Sequence, residues 1–353
     1  MELEVVLIGA GAVAKHYANL FAKESIFKVV AVVDVDIAKA EEHARLWGSV
    51  GYYDSLTNAL KEATPRVAIV TTPSGYHYEC VKEALTSGLN VIVEKPVSLR
   101  LEHTAELIRL ARDSNLSLIP VYQNRANPAV KWALENLSEI GRISMCSVRL
   151  RWSRLQEYYD SSWHGTWSLD GGVSSQQGIH HLDLFLEVGG EVRRVCALES
   201  NQINDLEAED TMLGVVEFMT GAVGTVELTT SLRPADAEAV VSFSGENGYG
   251  EVGGMALNEI TNWTLVDDRE RDNNYLRQYF QKVENGMGLG HREYISDCFS
   301  FLNGDLPLPP LTPERALQTE KFVHALYASN EQGGWVDLSE NRESKRLGKQ
   351  IDA

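Results

Sequence analysis

Cysteine is scarce. The 353 residues hold four, Cys80, Cys146, Cys196 and Cys298, and no two are spaced as a CxxC pair. Isolated thiols of this kind argue against a disulfide scaffold or a zinc ribbon and read as reduced, buried side chains of a cytoplasmic protein. Basic residues are short as well: 32 Lys and Arg stand against 50 Asp and Glu, a formal net charge of −18. That balance opposes a polyphosphate track, so no nucleic-acid partner is expected. No apolar run approaches the ~20 residues that span a bilayer, so no membrane partner is expected either. The N-terminal MELEVVLIGAG lacks a basic stretch ahead of its apolar run, which speaks against a secretion signal. Internal repeats and low-complexity tracts are also missing.

What is present suits a soluble globular chain, 44% hydrophobic and 23% charged. At roughly 100–200 residues per domain, the length fits two domains. The first part alternates two periods. Apolar runs at Glu4–Gly9, Val29–Asp34, Val67–Thr71, Asn90–Glu94 and Leu116–Tyr122 read as strands buried on both faces. Helical patterns separate them at Val13–Lys23, Ile37–Trp47, Ser55–Glu62, His77–Ser87 and Leu101–Asn115. Such alternation means crossover connections and a doubly wound parallel sheet. After Tyr122 the rhythm changes. A helix is expected over Pro128–Leu137. Strands follow at Ile143–Arg151, Val192–Gln202, Thr211–Glu217, Ala222–Thr230, Ala239–Ser244 and Gly248–Val252, with turn signals at Thr220-Gly221 and at Gly245 to Gly248. Hairpins and a large, mostly antiparallel sheet follow from these links. Further helices are expected at Ile179–Leu186, His291–Leu302 and Pro313–Ser329, and a short strand plus a polar helix in Gly333–Ala353. The expected fold is therefore α/β. A Rossmann domain occupies residues 1–121, and an α+β domain with a large open sheet, for substrate binding and oligomerisation, occupies 122–353.

Gly9-Ala10-Gly11-Ala12-Val13-Ala14 follows the first strand and opens the first helix. This GxGxxA arrangement gives a tight turn, a close backbone approach to a pyrophosphate, and a helix N-terminus that favours its charge. Asp34, about 20 residues on, ends the second strand where a carboxylate accepts hydrogen bonds from the adenosine ribose. A carboxylate there repels a 2′-phosphate, and Val35-Asp36-Ile37 offers no Arg or Ser to receive one, so NAD(H) is favoured over NADP(H).

Glu94-Lys95-Pro96 comes at the carboxyl end of a buried parallel strand, where open α/β sheets bind ligands. Proline after Lys95 favours an extended residue and fixes the direction of the lysine. A second cluster, Gly171-Gly172-Val173-Ser174-Ser175-Gln176-Gln177-Gly178-Ile179-His180-His181-Leu182-Asp183, brings His180 and Asp183 onto one helix face at i, i+3. A carboxylate there could orient the imidazole for acid/base work. Two other readings stay open: a structural His–Asp pair, and a metal held by His180, His181 and Asp183, although no zinc-type motif is present.

Together, GAGAVA, EKP at 94–96 and G-x-H-x-x-D at 178–183 resemble the glucose-fructose oxidoreductase / inositol dehydrogenase / MocA family of NAD(P)-dependent sugar dehydrogenases. Thr72-Pro73 with His77 resembles that family's segment after the fourth strand, and Ala325-Leu326-Tyr327-Ala328-Ser329 its C-terminal helix. The resemblance implies that Lys95 meets the reacting hydroxyl, that His180 is the general acid/base, and that Asp183 supports it. It also implies that Gly9, Gly11, Ala12 and Val13 hold the pyrophosphate and Asp34 the adenosine ribose. Thr72, Pro73 and His77 would wall the cofactor cleft, Glu94 would meet the nicotinamide ribose, and Gln123 the carboxamide. At Gln176 the chain departs from the inositol dehydrogenase-like members, which carry Asp.

Between these segments lie Arg149, Arg151, Trp152, Arg154, Tyr158, Tyr159, Trp163, His164 and Trp167. Aromatic faces suit sugar C–H surfaces, and Arg suits carboxylate or phosphate. Arg125, Arg154, Tyr158, Tyr159, Trp163, His164, Gln176 and Gln177 are the candidate substrate residues, while Arg149, Arg151 and Trp152 read as residues stacked on the sheet. The arginines, in an acidic chain, hint at an anionic sugar. The expected function is hydride transfer between NAD and a sugar or nucleotide-sugar alcohol, with no metal. A non-catalytic NAD(H)-binding regulator and an NAD-assisted lyase or hydrolase are the alternatives. A broad sheet with few helices leaves one face to cover, so a homodimer or homotetramer is expected.

Overall fold

The computed structural model describes residues 2–22, 24–160, 163–267, 273–283 and 288–349. Lys23 and the tail 350–353, which fall within expected elements, lie outside these, as do Ser161 and Ser162. Two compact units result. The first comprises Met1–Tyr122 with Arg292–Leu317, the second Gln123–His291 with Gln318–Ala353.

The first unit is built on six strands: β1 (Leu3–Ile8), β2 (Phe27–Val33), β3 (Gly51–Tyr53), β4 (Val67–Val70), β5 (Asn90–Glu94) and β6 (Leu118–Val121). Their spatial order is β3-β2-β1-β4-β5-β6 and every pair is parallel. Helices α1 (Ala12–Phe21), α2 (Ile37–Leu46), α3 (Leu56–Ala59), α4 (His77–Thr86) and α5 (Leu101–Asp113) connect them. Val-rich strands are what a sheet covered on both faces requires: all four residues of β4 are buried, as are Val5 to Ile8 of β1. The order reverses between β1 and β4, so the carboxyl ends of β1, β4 and β5 define the ligand crevice of such a sheet. The expected helix over 55–62 is a single turn, and the short edge strand β3 was not foreseen.

Residues 292–317 complete this unit, although the boundary near residue 121 assigns them to the second domain. The physical reason is packing. The Phe299 ring stacks on Phe27 at 4.5 Å between centroids, and the Tyr294 hydroxyl donates to the Pro120 carbonyl at 2.6 Å.

The second unit carries α6 (Pro128–Glu135), α7 (Leu137–Ile140), β7 (Ile143–Arg151), α8 (Gln156–Tyr159) and α9 (Ile179–Gly189). After these come β8 (Val192–Ser200), β9 (Thr211–Phe218), β10 (Val223–Thr229), β11 (Glu238–Gly245), β12 (Gly248–Gly253) and β13 (Glu259–Leu265). Helices α10 (Gly290–Leu302) and α11 (Pro313–Gln332) and strand β14 (Val336–Asp337) follow in the chain. The sheet order is β13-β12-β11-β7-β10-β9-β8-β14. Only β7 and β10 pair in parallel, and the other pairs are antiparallel. The Thr220-Gly221 signal is the β9–β10 hairpin, with Gly221 at φ +86°. Strand β13 was missed. Of the polar helix expected after Gly333, the described residues show only a 3₁₀ turn at Leu338–Glu340; Ser344 and Arg346 are held by His324, Glu331 and Glu199 instead.

Helix α9 lies on β7 and β11 and is buried almost all round. Phe185 packs against Phe218 and Phe322 at 5.4 and 6.0 Å. The opposite side of the sheet is open. Leu198, Leu213 and Val215 are 69%, 49% and 47% exposed there, around Ser147, Arg149, Thr225 and Glu227. No described helix is long and apolar enough to cross a membrane.

Candidate active site

In the first unit the chain end of β1 turns sharply. Gly9 sits at φ +98°, and a Cβ on it would lie 2.7 Å from the Thr72 nitrogen and 2.8 Å from the Thr71 carbonyl carbon. Glycine is therefore required by sterics on two counts. Its N–H donates to the Val33 carbonyl at 2.8 Å, and the Thr71 hydroxyl donates to its carbonyl at 2.8 Å. A Cβ on Gly11 would meet nothing within 4 Å. Gly11 caps α1, with Ala12 exposed and Val13 half-buried behind it. The start of α1 has no side-chain cap, which fits a pyrophosphate. Asp34 closes the cradle: Oδ2 accepts from the Ala10 N–H at 2.8 Å and Oδ1 from the Asp36 N–H at 2.9 Å. Each oxygen keeps a second lone pair for a ribose hydroxyl.

Across the switch point, Thr72 and Pro73 are half-buried at the end of β4. His77 is buried between two backbone carbonyls, Nδ1 2.6 Å from that of Pro96 and Nε2 2.9 Å from that of Thr72, and its neutral ring donates to one of the two. It thus ties the ends of β4 and β5 together. Burial lowers its pKa, while the two carbonyls pull the other way. Lys95 is half-buried at the end of β5, and its bond to Pro96 is cis. Glu94 is buried and accepts from the Tyr17 hydroxyl at 2.6 Å. Burial, then the neighbouring Glu94, raise the Tyr17 pKa well above its ordinary value. Tyr17 carries no motif, so sequence reasoning missed it; its one sign is a polar tip on the buried stripe of α1.

The second unit holds the other candidates. His180, His181 and Asp183 are all buried on α9. Among the described residues, the donors to Asp183 are Arg125 and Thr319. Arg125 Nε reaches Oδ2 at 2.6 Å and Nη2 reaches Oδ1 at 2.9 Å, with the Thr319 hydroxyl on Oδ1 at 3.1 Å. The i, i+3 spacing that suggested a His180–Asp183 pair is thus met by an arginine from 58 residues earlier in the chain. Arg125 also donates to Glu187 at 2.7 Å, so it is a clamp on α9 rather than a side chain free for a substrate anion. Burial pushes the His181 pKa down to about 4, against the opposing backbone of Gln177, and its ring stands edge-on to Trp152 at 5.6 Å. Gln123 is buried just before Arg125.

Several expected substrate residues do come together. Trp163 stacks on His164 at 3.7 Å between centroids, and His164 meets Tyr158 at 4.1 Å with the rings tilted by 46°. The Arg154 guanidinium lies 5.8 Å from the Tyr158 ring while bonding Asp236 at 3.1 Å. Gln177 donates to the Tyr158 hydroxyl at 3.2 Å, with Gln176 half-buried beside it. Tyr159 points elsewhere. It is buried, its hydroxyl pairs with Thr230 at 2.7 Å, and burial pushes its pKa up to about 12, so its place is in the core. No group of three His, Cys, Asp or Glu among the described residues is placed to hold a metal ion.

The oxidoreductase family model with an NAD-binding Rossmann fold matches residues 3–122, and the model of that family's C-terminal alpha/beta domain matches residues 135–338. An uncharacterized oxidoreductase of Synechocystis sp. is 26% identical over 228 residues, 60% of this chain and 61% of that protein. The D-glucoside 3-dehydrogenase of Escherichia coli is 24% identical over 363 residues, 95% of this chain and 97% of that protein. Among solved structures, the WlbA dehydrogenase of Chromobacterium violaceum, in complex with NADH and UDP-GlcNAcA, superposes with a TM-score of 0.87 at 29% identity, covering 95% of this chain and 96% of that one. The Bordetella pertussis WlbA dehydrogenase in complex with the same two molecules gives 0.89 at 27% identity, covering 95% and 97%.

Proposed function

Because the chain belongs to the oxidoreductase family with an NAD-binding Rossmann fold and a C-terminal alpha/beta domain, we propose that it is a dehydrogenase moving a hydride between NAD and a secondary hydroxyl of a sugar. The substrate we favour is a nucleotide-linked, acidic one. Lys95, at the carboxyl end of β5 in the first unit, is the observation that carries this reading. It stands where a parallel sheet of this order presents ligands. The likeness to the two WlbA dehydrogenases, and the ring cluster Trp163–His164–Tyr158 beside Arg154, support the choice of substrate.

NAD, held by Gly9, Gly11, Ala12, Val13 and Asp34, supplies the hydride acceptor. The Lys95 ammonium stabilises negative charge growing on the hydroxyl oxygen. The His180 imidazole takes the hydroxyl proton in oxidation and returns it in reduction. Asp183 holds α9 in register through Arg125 and Thr319. Tyr17 aims Glu94, and His77 joins the walls at Thr72 and Pro96. In the second unit, the open sheet face at Leu198, Leu213 and Val215 joins a second copy of the chain. Four free thiols among the described residues suit a reducing, cytoplasmic setting.

The test is NADH formation from NAD⁺ with a panel of sugars and nucleotide sugars that includes UDP-GlcNAcA. Lys95→Ala should cut turnover by about 10²–10³-fold, the cost of losing one oxyanion donor, with NADH binding retained. Near-normal turnover in that variant overturns the assignment. NADH binding without turnover on any member of the panel favours a regulator.

A further inference from the structure

Glu209 is a buried carboxyl group that the reading above leaves unused. It follows β8 in an acidic stretch, DLEAED, that looks solvated, yet its side chain is inside the second unit. Oε1 accepts from the Ser174 N–H and from the Tyr327 hydroxyl, both at 2.9 Å. Its backbone carbonyl accepts from the Val173 N–H at 3.0 Å. Tyr327 in turn accepts from the Gly172 N–H at 3.3 Å. Oε2 is buried with no hydrogen-bond partner. A Cβ on Gly172 would lie 2.0 Å from Oε2 and 2.2 Å from the Glu209 carbonyl oxygen, so the second glycine of the pair exists to admit this residue.

The segment so gripped is the turn that starts α9. Gln176 N–H donates to the Gly172 carbonyl at 2.9 Å, and Gly178 N–H to the Val173 carbonyl at 2.7 Å. The Gly178 carbonyl then accepts from both His181 and Leu182 at 2.9 Å. A shift at Ser174 is therefore carried into the first turn of α9, where His180 lies.

Resting on the proposed role of His180, we infer that Glu209 is its positioning residue: as the neutral acid, and through Ser174 and Tyr327, it fixes the turn over residues 171–178. An ionised carboxylate here would be a buried charge with no cation on it. The groups around it are Tyr327 on α11, Ser174 in the turn, and Glu199 on β8, whose own charge is taken by Arg346 at 2.6 and 2.9 Å. Burial, then the charge of Glu199, push the Glu209 pKa up to about 8, against the Ser174 N–H.

A carboxyl with a pKa near 8 when held and near 4.5 when released keeps its proton only in the held state. Protection of the turn should be full below pH 4.5 and fall about tenfold per pH unit up to pH 8. Hydrogen exchange of the 171–178 amides in the full chain, corrected for intrinsic rates, reads this, with β10 as the reference strand. Wild type should lose protection over that range in the turn and not in β10. Glu209→Gln, which keeps the acceptor but cannot ionise, should be flat. Glu209→Ala should lose at least tenfold protection in the turn at every pH. In the turnover assay, an alkaline fall in kcat present in wild type should be absent from Glu209→Gln. Equal slopes in wild type and Glu209→Gln, equal changes in turn and β10, or an undisturbed turn in Glu209→Ala would each overturn the proposal. Exchange needs no substrate. A chain that shows the exchange pattern but never turns over refutes the dehydrogenase reading and leaves the grip on the turn standing.

Discussion

Replacing Arg125 by alanine removes a guanidinium that closes on Asp183 in two hydrogen bonds of 2.6 and 2.9 Å. The Asp183 side chain is 2% exposed and that of Arg125 18%. After the substitution the carboxylate keeps only the Thr319 hydroxyl, at 3.1 Å. An orphaned buried charge of this kind costs about 3–5 kcal/mol. At ~2–4 °C per kcal/mol for a unit of this size, melting should fall by roughly 6–20 °C. Asp183→Asn should cost less, because Arg125 then retains Glu187, which is 34% exposed and easily hydrated. The paired change Arg125→Met with Asp183→Leu should recover most of the loss, since it strands neither charge. Thermal melts followed by circular dichroism give all three losses. A loss below about 1 kcal/mol in Arg125→Ala, or a larger loss in Asp183→Asn, would show that the pair behaves as a solvated one and would refute the clamp.

The buried imidazole of His181, with a pKa near 4, contributes stability that is complete above pH 6.5 and is lost as pH falls toward 4, by up to ~3 kcal/mol. His181→Phe should flatten that part of the urea-midpoint profile, and an unchanged slope would remove His181 as its source. Leu213→Arg with Val215→Arg should reduce the mass measured by light scattering to that of a single chain while leaving the melting temperature within a few degrees; an unchanged mass would assign association to another surface.

The glycine turn after β1 was legible because its constraints are local: a strand, two glycines and an acidic residue at the next strand end lie close together in the chain. The same holds for the strand-end position of Lys95. Long-range partners were not legible. Helical spacing says which residues share a face with Asp183, but not that Arg125 and Thr319 arrive there from elsewhere in the chain. Glu209 hid in a run of acids, and its one trace was the second glycine of Gly171-Gly172, which reads as turn flexibility until the carboxyl beside it is seen. Tyr159 looked like its neighbour Tyr158 because both lie in one aromatic stretch; a quarter turn of a short helix sends one to the core and leaves the other half-buried. Strand β13 was missed where NEITNWTL mixes polar and apolar residues without strict alternation. The polar pattern of the tail forms no helix among the described residues, where Ser344 and Arg346 bond His324 and Glu331 of α11 and Glu199 of β8.

Helix α10 has a practical consequence for anyone dividing this molecule. It carries Phe299 onto Phe27 and the Tyr294 hydroxyl onto the Pro120 carbonyl, so the nucleotide-binding body is written in two separate stretches of the gene. A chimera grafted with one cut after Tyr122 would transplant the sheet and leave behind the piece that seals it, baring Phe27 to solvent. Exchange of this body between relatives calls for two crossovers, with the 292–317 stretch travelling alongside the amino-terminal half.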